Sequence, residues 1–188
     1  MILRRRESLL KVLSRILTDL SMNRSYKEYV KNLKINGSEA ILEFGCGKGA
    51  LSKRVIKKLN KGGYLTCSDI SDLSLKDLKT VLRKHENINC CLGDIRKINM
   101  DNIYDKIIIN SALDYIPKNE RLSYLNFLLN LLKPDGKIFI RQYISINEGI
   151  SSTEVRRLMR KAKLKEIDYK FDKTVKKQLI YFGEFKRT

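Results

Sequence analysis

Residues Ala40–Ser52 read AILEFGCGKGALS, and this stretch decides the fold. An apolar run is followed by three glycines in five residues, Gly45, Gly47 and Gly49, and then by a helical pattern. Because glycine loses more conformational freedom on folding than any other residue, such a density indicates that the backbone must come close to a neighbour. The stretch therefore predicts a strand, a glycine loop and the start of a helix, with a ligand beside the loop.

Short apolar runs alternate with amphipathic stretches on the C-terminal side of this loop. Strands are predicted at YLTCSD, INCCLGD, YDKIIINSAL and KIFIRQYI, and helices at ALSKRVIKKLN, SLKDLKTVLRKH and ERLSYLNFLLNLLK. Strands joined by such helices form β-α-β units and a parallel sheet. The isoleucines at 107–109 are apolar on both strand faces, as in central strands that are covered by helices. We therefore expect an α/β fold with a mostly parallel sheet flanked by helices.

The two ends of the chain depart from this alternation. From Ile2 to about Met22, leucine and isoleucine recur at helical spacing opposite basic residues, so residues 1–36 are predicted to form an N-terminal helical extension on the lid or substrate side. Near the C-terminus, KEIDYKFD and QLIYFGEFKR are joined by a link that is too short for a crossover helix. These two strands should pair antiparallel as a hairpin at the edge of the sheet.

The composition describes a folded and strongly basic chain of one domain. No run of about 18 uncharged apolar residues exists, so no membrane span is expected. The net charge of +18 suits an anionic partner such as RNA, and it equally suits a bias in base composition. The four cysteines lack metal-ligand spacing and His85 is the only histidine, so we expect no metal, reduced thiols and a cytoplasmic location.

Three acidic residues are placed around the glycine loop. Glu43 lies inside the first strand, Asp69 ends the second strand, and Asp94 ends the third. An acid at the end of the second strand can accept hydrogen bonds from both ribose hydroxyls of a nucleotide. The loop also satisfies the dinucleotide pattern G-x-G-x-x-G/A, which leaves an NAD-binding oxidoreductase open.

The stretch EFGCGKG resembles motif I, E-x-G-x-G-x-G, of the class I S-adenosylmethionine-dependent methyltransferases. The stretches LTCSDIS, LGDIRK, YDKIIINSALDYIP and LLKPDGKIFI are similar to the later motifs of that family and follow in the same order over residues 40–188. The resemblance implies a Rossmann-like methyltransferase domain over residues 37–188, with S-adenosylmethionine as donor and S-adenosylhomocysteine as product. It places the cofactor contacts at Glu43, Gly45, Cys46, Gly47, Gly49, Asp69, Ile70, Asp94, Ile95, Asn110 and Ser111.

The segment after the fourth strand bears on the class of acceptor. Asn110 is followed by Ser-Ala, whereas methyltransferases of exocyclic nucleic-acid amines usually carry (N/D)-P-P-(Y/F), and the chain has no Pro-Cys nucleophile of the cytosine-C5 type. SALDYIP instead resembles a segment of enzymes that act on small molecules. The resemblance makes Asp114 a candidate general base, with Tyr115 beside it. Candidate substrate contacts are Tyr26 and Tyr29 before the first strand and Tyr143 at the end of the fifth, next to Arg141 and Gln142.

We therefore expect methyl transfer from S-adenosylmethionine to a small or medium-sized acceptor, on oxygen, nitrogen or carbon, by a monomer or homodimer. An RNA-directed methyltransferase is the close alternative, with the N-terminal helix and the basic residues of 156–165 as its phosphate-contacting surface. An NAD-binding oxidoreductase and a non-catalytic methyltransferase-like binding module remain as alternatives from other classes.

Overall fold

Seven strands form one sheet in the computed structural model, which describes residues 22–71, 78, 83, 85–97, 103–144, 149–173 and 179–188. The strands are β1 (Ala40–Phe44), β2 (Tyr64–Asp69), β3 (Ile88–Leu92), β4 (Tyr104–Asn110), β5 (Leu132–Ile144), β6 (Leu164–Lys173) and β7 (Leu179–Arg187). Their order across the sheet is β3-β2-β1-β4-β5-β7-β6. The chain leaves β1 toward β2 on one side and enters β4 on its other side, so the strand order reverses beside the glycine loop, where such sheets bind ligands.

The strand pairing confirms the predicted α/β class. Strands β1 to β5 pair in parallel, in registers such as Leu42 with Thr66 and Asn110 with Arg141. Strand β7 runs antiparallel to both β5 and β6, which confirms the predicted C-terminal hairpin. Because β7 lies between β5 and β6, only β6 of this hairpin reaches the edge of the sheet.

Four helices belong to the described part of the chain. They are α1 (residues 22–32), α2 (Ser52–Val55), α3 (Arg121–Leu131) and α4 (Ser152–Lys161). Helix α2 is shorter than predicted, because the chain tightens into a 3₁₀ turn over Ile56–Lys58. Residues 1–21 of the predicted N-terminal helical extension lie outside the described residues. Most of the helix predicted from SLKDLKTVLRKH lies outside them as well. Among the described residues, no helix is both long and apolar enough to cross a bilayer.

The border between α3 and β5 differs from the predicted one. The apolar pattern predicts a helix through LLK, but α3 ends at Leu131 and β5 begins at Leu132. Pro134 explains the difference, since the residue that precedes a proline is biased away from helical angles. The helix therefore ends before Lys133, and the strand begins earlier than KIFIRQYI suggests.

The sheet carries a hydrophobic core on each face. On one face, Ile41, Ile108 and Phe139 pack under α1 and the turn that follows it, where Tyr29 and Leu33 are buried. On the other face, the strands pack against α3 and α4, whose core residues are Leu125, Leu128, Leu129, Leu131, Val155 and Met159. Each fully buried aliphatic side chain stabilises the fold by roughly 1.5–3 kcal/mol relative to exposure. These two cores hold the carboxyl ends of β1, β2, β4 and β5 in fixed relative positions.

Candidate functional site

The glycine loop joins the ends of three strands. The backbone N–H groups of Gly45 and Cys46 both donate to the carbonyl oxygen of Ser68, at 2.9 and 3.1 Å, which ties the loop to the end of β2. Gly45 has a φ of +82°, and a Cβ there would lie 2.8 Å from both Asn110 O and Ala112 Cβ. Only glycine allows β1 to end this close to the segment that follows β4.

Gly47 and Gly49 serve different purposes. Both have positive φ, +52° and +77°. A Cβ at Gly49 would overlap Cδ1 of the fully buried Leu78, so this glycine is required for packing. A Cβ at Gly47 would meet no atom within 4 Å in the part of the chain that the structure describes. The open space beside Gly47 is where a ligand can approach the backbone.

Asp69 stands at the end of β2 beside this open space. Its Oδ2 accepts a 2.7 Å hydrogen bond from Gly47 N–H, and its Oδ1 accepts one of 2.9 Å from Ser71 N–H. Two apolar side chains flank it, since Ile70 is 75% exposed and Leu92, at the end of β3, is 53% exposed. A carboxylate between exposed apolar side chains matches the hydroxyls and the flat base of a nucleoside.

Asp94 follows β3 and is held by Arg96. The Arg96 Nε and Nη2 atoms donate to Asp94 Oδ2 at 2.9 and 2.6 Å, and these bonds lower the pKa of the Asp94 carboxyl. The same guanidinium lies over the ring of Tyr124, with Cζ 4.1 Å from the ring centroid. The next residue, Ile95, is buried in the core, so only its backbone can face a cofactor. The cofactor contact predicted for Asp94 remains a prediction.

A polar row of Glu43, Asn110 and Arg141 crosses the neighbouring strands β1, β4 and β5 on the face under α1. Glu43 is fully buried, and its two oxygens accept from Ser52 Oγ at 2.6 Å and Asn110 Nδ2 at 3.1 Å. Burial raises the pKa of Glu43 to about 7, although these two hydrogen bonds oppose the shift. Asn110 Oδ1 in turn accepts from Arg141 Nη1 at 3.5 Å, so the amide connects the two ionisable groups.

The Arg141 guanidinium contacts the rings of two of the three predicted tyrosines. Its Cζ is 4.3 Å from the ring centroid of Tyr26 and 4.9 Å from that of Tyr143. Tyr26 of α1 lies over the polar row, and burial there raises the pKa of its hydroxyl. Tyr29 differs, because it is buried and stacks on Phe182 with the ring centroids 5.0 Å apart.

The segment after β4 places Asp114 at the same edge of the sheet. Its Oδ2 accepts a 2.7 Å bond from Gln142 Nε2, and its Oδ1 accepts a 2.8 Å bond from Ile150 N–H. Ser111, two residues before Leu113, has a φ of +51°, and its N–H donates to Arg141 O at 2.7 Å. Tyr115 is 85% exposed, so the structure places it at the surface. The catalytic roles of Asp114 and Tyr115 remain predictions.

The sequence did not predict two contacts in the site, those of Ser52 with Glu43 and of Cys46 with Cys67. Ser52, which donates to Glu43, carries no motif of its own, and its position at the first turn after the loop is its only signal. Cys46 is buried against Cys67, whose thiol pKa is raised by a hydrogen bond with Cys46 and by burial, so only the Cys46 backbone faces the loop. All four cysteines are free thiols.

Comparison with known proteins decides the family. Residues 35–181 match a family model described as a methyltransferase domain. The chain belongs to this family. The predicted resemblance to class I S-adenosylmethionine-dependent methyltransferases is thereby confirmed, together with the cofactor of that class, and the dinucleotide alternative finds no support.

Relatives of this methyltransferase domain are named for methyl transfer to different atoms. The chain is 29% identical over 119 residues to malonyl-[acyl-carrier protein] O-methyltransferase 1 of Ilyobacter polytropus, covering 61% of this chain and 43% of that protein. It is 29% identical over 119 residues to a ubiquinone/menaquinone biosynthesis C-methyltransferase of Wigglesworthia glossinidia brevipalpis, covering 57% and 44%. The chain thus spans less than half the length of these relatives.

Solved structures share the fold. The 1,6-didemethyltoxoflavin-N1-methyltransferase of Burkholderia thailandensis, solved with bound 1,6-didemethyltoxoflavin and S-adenosylhomocysteine, superimposes with a TM-score of 0.73 at 17% identity, covering 89% of this chain and 79% of that one. At this identity the likeness shows the fold alone. It supports the Rossmann-like class predicted from the sequence.

The groups around the glycine loop of this methyltransferase domain fit S-adenosylmethionine. The nucleoside part is matched by Asp69 with its exposed apolar neighbours, and the open space at Gly47 admits a ligand to the backbone. Buried polar atoms without a hydrogen-bond partner among the described residues also lie at the end of β2, in β5 and in α1: Ser68 Oγ, Arg141 Nε, Gln142 Oε1, Tyr29 OH. Within the described ranges, no group of three or more potential ligand side chains is arranged to hold a metal.

Proposed function

We propose that the chain transfers the methyl group of S-adenosylmethionine to a small or medium-sized acceptor, on oxygen, nitrogen or carbon. The bound cofactor supplies an electrophilic methyl group on a sulfonium, so the protein's tasks are to hold the acceptor in line and to exclude water. The relatives and the solved structure are named as O-, C- and N-methyltransferases, so the methylated atom of the acceptor stays unspecified.

The observation that carries the proposal is the arrangement of Gly47 and Asp69. The Gly47 N–H donates to the Asp69 carboxylate while the outer side of the glycine faces open space. This gives a nucleoside-binding carboxylate that is fixed by the loop over which the rest of the cofactor must lie. Gly45, Gly49, Ile70, Asp94, Asn110 and Ser111 are proposed as the further cofactor contacts.

Asp114 is the side chain that we propose as general base for an acceptor that carries a proton. Its carboxylate is exposed at the ligand-binding edge and is held by Gln142 and Ile150, which fixes its position without adding a positive charge. A positioned base of this kind contributes about 10²–10⁴-fold to a rate. Tyr115 beside it, and Tyr26 and Tyr143 around Arg141, are proposed to contact the acceptor.

An RNA acceptor is the second candidate, and a basic cleft between α3 and α4 favours it. Lys118, Arg157 and Lys161 line a cavity of about 240 Å³ together with the ion pair of Arg121 and Glu154. Exposed cations beside a site edge can contact phosphates, and the affinity would then fall steeply with salt. If the binding of a mixed-sequence RNA oligonucleotide is indifferent to salt, this candidate is eliminated.

The test is transfer of labelled methyl from S-adenosylmethionine into a cell extract by the purified chain. The products are separated into nuclease-sensitive polymer, protease-sensitive polymer and small molecules, with Asp69→Asn as the control that binds the cofactor more weakly. We expect label among the small molecules. Label in the nuclease-sensitive fraction would favour an RNA acceptor. If the chain binds the cofactor but transfers no methyl group, it is a non-catalytic binding module.

We also propose that the protein works in the cytoplasm, as a monomer or homodimer. The free thiols of Cys46 and Cys67 lie in hydrogen-bond contact beside the glycine loop, which suits a reducing compartment. Sedimentation of the purified chain under reducing conditions measures the oligomeric state.

A further inference from the structure

Arg141 is a buried cation with an incomplete set of partners. Its side chain is fully buried, and it forms no ion pair with any residue that the structure describes. Its Nε has no hydrogen-bond partner there. The guanidinium instead makes long contacts, at 3.5 Å to Asn110 Oδ1, 3.5 Å to Ser111 Oγ, 3.3 Å to Tyr143 OH and 3.9 Å to Met22 Sδ.

Burying a charged group without an opposite charge costs free energy, because the lost hydration is not replaced. Glu43 does not supply the missing charge directly, since the Asn110 amide stands between the two side chains. Burial also raises the pKa of Glu43 to about 7, so this carboxyl is only partly ionised near neutral pH. The positive charge of Arg141 is therefore poorly compensated within the polar row.

The N–H edge of the Arg141 guanidinium is the part of the side chain that can bind a ligand. The rings of Tyr26 and Tyr143 lie with their centroids 4.3 and 4.9 Å from the guanidinium carbon and stabilise the cation through cation–π contact. The N–H groups point within the guanidinium plane, where a carboxylate can accept two parallel hydrogen bonds at about 2.7–2.9 Å. Met22 and Tyr26 both belong to α1, so a shift of this helix exposes the edge.

We propose that Arg141 is the carboxylate receptor of this site, and that it holds a carboxylate of the acceptor or of the methionyl part of the cofactor beside Tyr26 and Tyr143. The proposal rests on the proposed methyl transfer for its ligands. Hydrogen bonds to a charged group are stronger than those between neutral groups, and we expect the carboxylate to contribute an affinity difference of roughly 10–100-fold. The gain in affinity arises because a carboxylate replaces the long contacts of the guanidinium with Met22 Sδ and Asn110 Oδ1.

The first arm measures the cofactor by calorimetry. S-adenosylhomocysteine, which has a carboxylate, and 5′-methylthioadenosine, which has none, are titrated into the wild-type chain, Arg141→Gln and Arg141→Lys. If the cofactor supplies the carboxylate, Arg141→Gln weakens S-adenosylhomocysteine at least tenfold and leaves methylthioadenosine unchanged. Arg141→Lys keeps the charge but loses the paired geometry, so it should fall between the two.

The second arm measures the acceptor side by NMR of arginine Nε–H groups, with the Arg141 signal assigned from its absence in Arg141→Lys. Benzoate, succinate and the uncharged control benzamide are added to the wild-type chain saturated with S-adenosylhomocysteine. If the acceptor supplies the carboxylate, the two acids shift the Arg141 signal and benzamide does not. This arm needs no folded glutamine variant.

The proposal is overturned if S-adenosylhomocysteine affinity is unaffected by Arg141→Gln and neither acid shifts the Arg141 signal. Failure of the proposed function has a different signature, because S-adenosylhomocysteine would then not bind the wild-type chain in an Asp69-dependent manner.

Discussion

Ser52 donates a 2.6 Å hydrogen bond to Oε2 of Glu43, and so joins the first turn after the glycine loop to the strand before it. The other oxygen of Glu43 accepts from Asn110, which is also neutral. Two neutral donors only partly replace the water that a carboxylate loses on burial, and the pKa of Glu43 is therefore raised to about 7. The pair thus links the glycine loop to a proton-binding group in the core.

Glu43 should make the stability of the protein fall as pH rises. Between about pH 4.5 and 7, the folded chain holds a proton that the unfolded chain releases, so the free energy of unfolding decreases across this window, by at most about 1.4 kcal/mol per pH unit. Urea unfolding at pH 5 to 8 measures this change in the wild-type chain and in Glu43→Gln, which removes the titration. The exposed Glu28→Gln is the matched control. Parallel pH profiles for wild type and Glu43→Gln would disprove the assignment.

Gly47→Ala and Gly49→Ala should separate ligand binding from packing. Both place alanine at positive φ, which costs roughly 1–2 kcal/mol. Gly49→Ala also forces its Cβ onto the buried Leu78, so its total loss of unfolding free energy should reach about 2–4 kcal/mol. Gly47→Ala should lose only the roughly 1–2 kcal/mol of this backbone strain but bind S-adenosylhomocysteine at least tenfold more weakly. Urea unfolding and calorimetry test both effects, and equal affinities for Gly47→Ala and wild type would exclude a ligand at that position.

Asp69→Asn should weaken S-adenosylhomocysteine more than Asp94→Asn. Asp69 holds the glycine loop through Gly47 N–H and stands beside the open space, so loss of its charge should reduce the affinity by about 10–100-fold. Asp94 already bonds the Arg96 guanidinium, so its loss should matter less. Calorimetry of both variants gives the order, and the reverse order would place the nucleoside at β3.

Asp114→Asn should preserve the fold and slow the reaction. Gln142 Oε1 has no hydrogen-bond partner among the described residues, so a rotated Gln142 amide can accept from the side-chain amide that the substitution introduces. We expect a change in unfolding free energy below about 1 kcal/mol, unchanged S-adenosylhomocysteine affinity and a methyl-transfer rate about 100-fold lower. A rate within a few-fold of wild type would show that Asp114 only positions the segment of Ile150.

The sequence predicts most of the sheet because local pattern and long-range packing agree there. The strand at Ile107–Ile109 is apolar on both faces and is indeed buried under both cores. The start of β5 at Leu132 was not predictable, since its pairing with Tyr104 depends on a partner 28 positions away. Helix α2 is cut short by a 3₁₀ turn that no residue pattern in SKRVIKK indicates.

The site residues likewise fall into a group that a local sequence motif predicts and a group that it does not. Gly45 and Asp69 belong to a local motif, and their backbone contacts follow from it. The partners of Arg141 come from α1, β4 and β5, and a side-chain cluster assembled from distant segments leaves no spacing signal. Strand alternation shows only that some residues at the end of β5 face the ligand.

The position of β7 between β5 and β6 affects how the chain folds during its synthesis. Its pairing with β5 and β6 lets β7 contribute Ile180, Tyr181, Phe182 and Phe185 to the cores. During synthesis, β1 to β5 emerge with the edge of β5 unpaired, and β6 follows without its sheet neighbour. The nascent chain therefore offers an open sheet edge to other chains until β7 leaves the ribosome.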